Sequence, residues 1–334
     1  RSKGAMLSHA NLASNSDALR ECWRFTQADR LIHALPIFHT HGLFVATNVT
    51  LLAGGSVLFF PKFDAGAILA AMPRATAMMG VPTFYTRLLD QPGLEEAAKG
   101  MRLFVSGSAP LLEETHRAWR RRTGHAILER YGMTETNMIT SNPYEGERRP
   151  GAVGFALPGV AIRVADPESG RALAEGEIGV VEVTGPNVFK GYWRMPEKTA
   201  EEFRADGWFI TGDMGMIDAD GYLHIVGRAK DLIISGGFNV YPKEVETALD
   251  ALPGVVESAV IGLPHPDFGE GVAAVVVPEP GAALAEDAVI AAVTDQLAKF
   301  KRPKRVFFAD ALPRNAMGKV QKAELRKRHA DAFV

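Results

Sequence analysis

Leu103-Phe104-Val105-Ser106-Gly107-Ser108-Ala109-Pro110 decides the fold. Its first half is an uncharged run that reads as a buried strand. Its second half is a strand-to-helix turn that follows without a spacer. Upstream, Val57-Leu58-Phe59-Phe60 and Ala77-Met78-Met79-Gly80 repeat the buried-strand pattern. Downstream, Glu113 to Arg122 reads as a helix stopped by Gly124. The alternation predicts an α/β unit over residues 1–155, a mostly parallel sheet flanked by helices. Ligands of such sheets collect at the C-terminal ends of the strands, where Gly107–Pro110 lies.

Beyond that the texture changes. Ile178-Gly179-Val180-Val181-Glu182-Val183 and Tyr222-Leu223-His224-Ile225-Val226 are β-rich and separated by Gly and Asp turns, which predicts a small antiparallel or barrel-like subdomain over 156–229. Asp218-Ala219-Asp220-Gly221 has the look of a calcium loop, but Met216 stands where an acid is required, so it reads as a hairpin turn. A mobile α+β domain is expected over 230–334. Pro242 opens a helix there, with Gly254 beyond its end. Strands are expected at Ser258–Gly262, Val272–Val277 and Val306–Phe308, and a helix around Asp287–Ala298.

The chain has 334 residues, more than one ordinary core supports. The formal net charge of −2 implies no bulk attraction to nucleic acid or an anionic membrane. No apolar run is long enough to span a bilayer, and no signal peptide is seen. Cys22 is the one cysteine, so no intrachain disulfide is possible and a cytoplasmic location is expected.

The chemistry is carried by Arg130-Tyr131-Gly132-Met133-Thr134-Glu135, Thr211-Gly212-Asp213, Gly227-Arg228-Ala229-Lys230-Asp231 and Leu312-Pro313-Arg314-Asn315-Ala316-Met317-Gly318-Lys319-Val320. In this order the four stretches resemble the adenylate-forming superfamily of acyl-CoA synthetases, luciferases and peptide-synthetase adenylation domains. The resemblance covers essentially the whole chain. Arg1-Ser2-Lys3-Gly4 resembles the tail of that family's phosphate loop, which implies that a large N-terminal part precedes residue 1 and that the chain is a fragment, inactive by itself.

The resemblance implies ATP, Mg²⁺ and coenzyme A as reactants. A carboxylate attacks the α-phosphorus of ATP, and a thiol then attacks the acyl-adenylate. Lys319 would place its charge between carboxylate and α-phosphate. Thr134 would hold a phosphate oxygen and Glu135 the Mg²⁺. Lys3, Gly107, Ser108, Ala109, Glu129, Arg130, Tyr131 and Gly132 would line the nucleotide site, and Asp213 with Arg228 would bind ribose. Arg228 could instead pair with Asp231. Lys230 matches the hinge about which the C-terminal domain turns between half-reactions. Gly236-Gly237 matches the pantetheine tunnel, and equally a glycine turn. In Lys299-Phe300-Lys301-Arg302-Pro303-Lys304-Arg305, Arg302 and Lys304 are candidates for the CoA phosphates, against a plain solvated face. The run lacks the interleaved aromatics of a nucleic-acid platform. The loop setting of Lys319 suits an acetyltransferase and deacetylase, since acylation removes its charge.

For the acid, His39 and His41, Arg87, Ser108 and Arg130 are the pocket candidates. Two arginines and a serine suit a second carboxylate, and the sequence is similar to bacterial malonyl-CoA synthetases. Arg87 on a helix surface and Arg130 paired with Glu129 are the plain alternatives. The expectation is therefore an ATP-dependent ligase for malonate or methylmalonate, with a short or medium fatty acid or an aromatic acid as alternatives. No carrier-type segment follows Val334, which favours CoA as the thiol. From other classes, a metal-dependent hydrolase built on His39-Thr40-His41 lacks further ligands at suitable spacing. A serine hydrolase lacks the Gly-x-Ser-x-Gly frame. A non-catalytic nucleotide binder would not need Lys319, Glu135, Asp213 and Arg228 together.

Overall fold

Five parallel strands make the floor of the first part of the chain. They are β1 (Arg30–His33), β2 (Ser56–Phe59), β3 (Ala77–Gly80), β4 (Leu103–Ser106) and β5 (Leu128–Met133), with β6 (Asn137–Ser141) and β7 (Phe155–Ala156) added antiparallel. The order is β2-β1-β3-β4-β5-β6-β7. The computed structural model describes residues 3–315 and 318–333. Arg1 and Ser2 of the expected phosphate loop, and Ala316 and Met317 of the expected lysine loop, lie outside them.

The uncharged runs of β3 and β4 are buried along their whole length. A parallel sheet is covered on both faces, which is why these strands do not alternate. Phe104 of β4 and Tyr85 both meet Trp119 edge-to-face, at 4.9 and 5.0 Å between ring centroids. These contacts seat the helices Pro82–Leu89 and Glu113–Thr123 on the sheet.

A four-stranded sheet follows, in the order β11-β10-β9-β8, from β8 (Ala161–Ala165), β9 (Gly179–Thr184), β10 (Phe209–Ile217) and β11 (Leu223–Arg228). The third sheet holds β12 (Ile233–Ser235), β13 (Phe238–Val240), β14 (Val255–His265), β15 (Gly269–Pro278) and β16 (Arg305–Phe308). The long β14–β15 hairpin exceeds the expected strands at both ends. Helix Pro242–Asp250 lays Val245 and Leu249 against Val260, Val272 and Ala274 of this hairpin. The helix expected over 287–298 is shorter, Glu286–Ala292. Beyond it the carbonyls of Thr294 and Leu297 accept from Arg302 instead. The fold is mixed α/β, a large parallel-dominated sheet followed by antiparallel ones.

The chain divides into two compact units, Arg1–Thr211 with Gly215–Ile225, and Gly212–Met214 with Val226–Val334. Lys230 lies in the second unit, four residues past Val226, where the chain re-enters it. Among the described residues no helix is long and apolar enough to cross a membrane.

Candidate active site

In the first unit, strand order reverses at β1, whose neighbours are β2 on one side and β3 on the other. Ligands of open α/β sheets sit at such a reversal, beyond the C-terminal strand ends. After β1 the chain enters a π-helix, His41–Thr47. Such wide turns are rare and concentrate at functional sites. His33 spans the entrance, with Nε2 2.9 Å from the Gly42 carbonyl and Nδ1 accepting from Leu35 N–H. The π-helix buries His41 completely, and its Nδ1 lies 3.1 Å from Ser108 Oγ. Ser108 is held at φ 71°, a left-handed conformation that costs a serine on the order of 1 kcal/mol. Burial first, then the charges of Arg130, His39 and His33, keep the His41 imidazole neutral.

Arg130 lies beside this pair. It is 4% exposed, and its Nε and Nη2 have no hydrogen-bond partner among the described residues, nor has His41 Nε2. Gly107 makes room for it: a Cβ there would stand 2.4 Å from the guanidinium carbon. Burial pushes the Arg130 pKa down to about 9, partly offset by Tyr85, so it stays cationic at neutral pH. An unpartnered buried guanidinium costs several kcal/mol unless an anion meets it. The alternative pairing of Arg130 with Glu129 is not what the strand favours. Successive residues of β5 face opposite sides, and Glu129 accepts from Gly151 N–H and lies 3.2 Å from His116. Arg87 is exposed on the last turn of its helix, and His39 is half-buried, its Nδ1 accepting from His41 N–H.

Tyr131-Gly132 closes β5 at a register shift against β6. Gly132 is obligatory there, since a Cβ would stand 1.9 Å from the Asn137 carbonyl. Tyr131 packs against the clusters around Phe209 and Val181. Thr134 is exposed on the turn between β5 and β6, and Glu135 is half-buried. Glu135 Oε1 accepts from the Tyr192 hydroxyl at 2.9 Å. Lys3 Nζ lies 3.0 Å from both Tyr192 and Glu202. Among the described residues no group of three His, Cys, Asp or Glu could hold a metal ion. One carboxylate suits Mg²⁺ that arrives on nucleotide phosphates rather than a resident ion, so the donors present fit Mg²⁺ bound with ATP and offer a hydrolase no ligand set.

In the second unit, Arg228 Nε lies 3.0 Å from Asp213 Oδ1, while Asp231 pairs with Arg326 at 2.7 Å. The alternative Arg228–Asp231 pairing is thereby replaced. Lys230 sits in a single 3₁₀ turn, Ala229–Asp231. Lys319 is exposed: its N–H donates to Asn315 Oδ1, its carbonyl accepts from Asn315 N–H, and Arg314 bridges to Val320. Gly236 and Gly237, at φ 60° and 81°, form the two-residue turn between β12 and β13, as only glycines readily can. Lys304 Nζ lies 4.4 Å over the Phe268 ring next to Gly236. Arg302 spends two N–H groups on backbone carbonyls, a structural role that weakens its candidacy for a CoA phosphate.

Residues 1–193 match the AMP-binding enzyme family, and residues 244–319 match the AMP-binding enzyme C-terminal domain. The chain belongs to the AMP-binding enzyme family. It is 39% identical over 357 residues to a malonate–CoA ligase of Arabidopsis thaliana, covering 97% of this chain and 58% of that protein. It is 41% identical over 333 residues to a feruloyl-CoA synthase of Amycolatopsis, covering 98% and 67%. The ATP-bound crystal structure of MatB from Rhodopseudomonas palustris superposes with a TM-score of 0.98 at 67% identity, over 100% of this chain and 67% of that one. The chain spans about three fifths of the length of the first curated relatives it matches. The sequence offered His39 and His41 alike as pocket candidates, and it gave no sign of Tyr192 or Glu202. The buried His41 could have been separated from His39 by the apolar Gly-Leu-Phe-Val that follows it. Tyr192 carries no comparable local signal.

Proposed function

We propose that the protein is an AMP-forming acid–CoA ligase whose acid is malonate, with methylmalonate fitting the same anchor. The observation that carries the choice of acid is the buried Arg130 guanidinium with two unpartnered nitrogens. A second carboxylate completes its hydrogen bonds, with Ser108, His41, His39 and Arg87 as further lining. A methyl terminus would leave the charge bare. The family match and the malonate–CoA ligase relative support the same reading.

In the first half-reaction one acid oxygen attacks the α-phosphorus of ATP, an O–P bond forms, and pyrophosphate leaves. Lys319 steadies the charge that gathers between carboxylate and phosphate, Thr134 and Lys3 hold phosphate oxygens, and Asp213 with Arg228 holds ribose. Glu135 would hold Mg²⁺, which neutralises phosphate charge. Glu129, Gly107, Ala109, Tyr131 and Gly132 complete the nucleotide walls in this proposal. In the second half-reaction the CoA thiol attacks the acyl carbon and AMP leaves, after a turn about Lys230. The pantetheine arm passes Gly236-Gly237, with Lys304 the better placed of the two basic candidates for its phosphates. Acetylation of Lys319, reversed by a deacetylase, would switch the first half-reaction off, and the location is cytoplasmic.

The deciding experiment is ATP–pyrophosphate exchange by the full-length enzyme with malonate, methylmalonate, butyrate, octanoate and ferulate. Malonate should give the highest kcat/KM. A preference for butyrate, octanoate or ferulate would remove the dicarboxylate assignment and keep the ligase.

A further inference from the structure

Glu135 is held by a segment that the sequence motifs do not include. The Glu135 carbonyl accepts from Phe189 N–H at 2.8 Å, and Asn187 Nδ2 donates to the carbonyls of Thr136 and Met138. Three residues after Phe189, the Tyr192 hydroxyl reaches the Glu135 carboxylate. The same hydroxyl lies 2.6 Å from Glu202 Oε2 and 3.0 Å from Lys3 Nζ. Glu202 in turn meets Lys3 at 3.0 Å and Lys198 at 3.2 Å. Glu135 forms no salt bridge among the described residues. The Tyr192 ring is 2% exposed and packs edge-to-face on Phe189 at 4.9 Å, so its hydroxyl is not free to wander.

We propose that Tyr192 is a positioning residue for the Glu135 carboxylate. A hydroxyl has one hydrogen to give. Lys3 donates into the Tyr192 oxygen, so the single hydrogen serves one of two carboxylates at a time. Glu202 is already supplied by two ammonium groups. Glu135 is supplied by Tyr192 alone among the described side chains. Donation to Oε1 fixes the carboxylate plane and leaves Oε2 for a cation. Partners of this kind, one bond behind a metal ligand, orient it and commonly matter 10–100-fold to metal affinity.

The inference rests on Glu135 being the carboxylate for a nucleotide-borne divalent cation. Its test uses the full-length enzyme, a non-hydrolysable ATP analogue and Mn²⁺, with bound Mn²⁺ read by electron paramagnetic resonance. Tyr192→Phe keeps the ring and removes the hydroxyl. It should weaken Mn²⁺ binding roughly 10-fold or more and raise the Mg²⁺ concentration for half-maximal adenylation in step, while the KM for the acid stays put. Glu202→Ala leaves the Tyr192 hydrogen with one carboxylate acceptor, Glu135, so Mn²⁺ affinity should stay close to wild type. Unaltered Mn²⁺ binding in Tyr192→Phe overturns the assignment. Equal losses in both variants also overturn it, since that is what general loosening of the network produces. Failure of the wild-type enzyme to bind Mn²⁺ with nucleotide would instead remove the Glu135 reading beneath it.

Discussion

Arg130 is set apart by its burial, not by its identity. On a surface it would pair weakly with whatever passed; at 4% exposure, facing Gly107, it would in the proposed role reject a ligand that leaves it bare. Arg130→Met should lower kcat/KM for malonate by roughly two to three orders of magnitude, from about 2–5 kcal/mol for breaking a buried charge pair. Butyrate should be used better by the same variant, because the excluding cation is gone. Side-by-side kinetics with the two acids test this, and unchanged selectivity would move the anchor elsewhere. Lys319 is the opposite case, an exposed charge whose backbone is tied down by Asn315. Lys319→Ala should abolish pyrophosphate exchange yet largely spare thioester formation from supplied acyl-adenylate. Equal loss of both half-reactions would refute a role confined to adenylation. Arg130 and Lys319 could be named from their motifs. What could not be read is which nitrogen atoms lack partners, because that depends on residues 20 or more positions away.

Elements tell the same story with different losses. Leu103–Ser106 and Ala77–Gly80 were legible because a strand covered on both faces carries no charge and does not alternate. Helix His9–Cys22 was not, because it buries a polar face: Asn11 and Asn15 are 2% and 3% exposed. Their amides hold the carbonyls of Pro186, Val188 and Met138, so the helix braces the frame around Glu135. Helix Pro242–Asp250 ends in Asp250, whose pKa is raised to about 6. Burial is the main cause, opposed by the Ser258 hydroxyl at 2.7 Å and by Lys243, and helped by Glu246 and Glu257. Between the ordinary carboxyl pKa and 6 the folded form binds the proton that the unfolded form has lost. Stability therefore falls as pH rises through that window. Asp250→Asn keeps an acceptor for Ser258 and has no charge to bury. It should raise stability at pH 7 by on the order of 2 kcal/mol and confer nothing below pH 4. Thermal unfolding across pH 4 to 8 checks this, and a constant difference at all pH values would refute it.

At the scale of the whole molecule, two compact units share one chain, and the 3₁₀ turn Ala229–Asp231 lies in the second, just past Val226 where the chain re-enters that unit. Proline at 230 disfavours the helical conformation of Ala229 before it. Lys230→Pro should therefore slow thioester formation more than pyrophosphate exchange, if this turn is where the second unit swings. Rapid-quench measurement of both half-reactions decides it, and unchanged rates in both would take Lys230 out of the hinge.

By itself the sequence determined the α/β order of the first unit and the family, and it named the candidate residues for the proposed chemistry. Those follow from local signals: apolar runs, glycine turns, and charged residues within short motifs. The tertiary structure alone decided that His41 is buried against Ser108, that Asp231 turns to Arg326 and leaves Arg228 to Asp213, and that Tyr192 stands behind Glu135. The physical reason is that burial and pairing are properties of neighbours in space. Tyr192 is 57 positions from Glu135 along the chain and one hydrogen bond away in the fold.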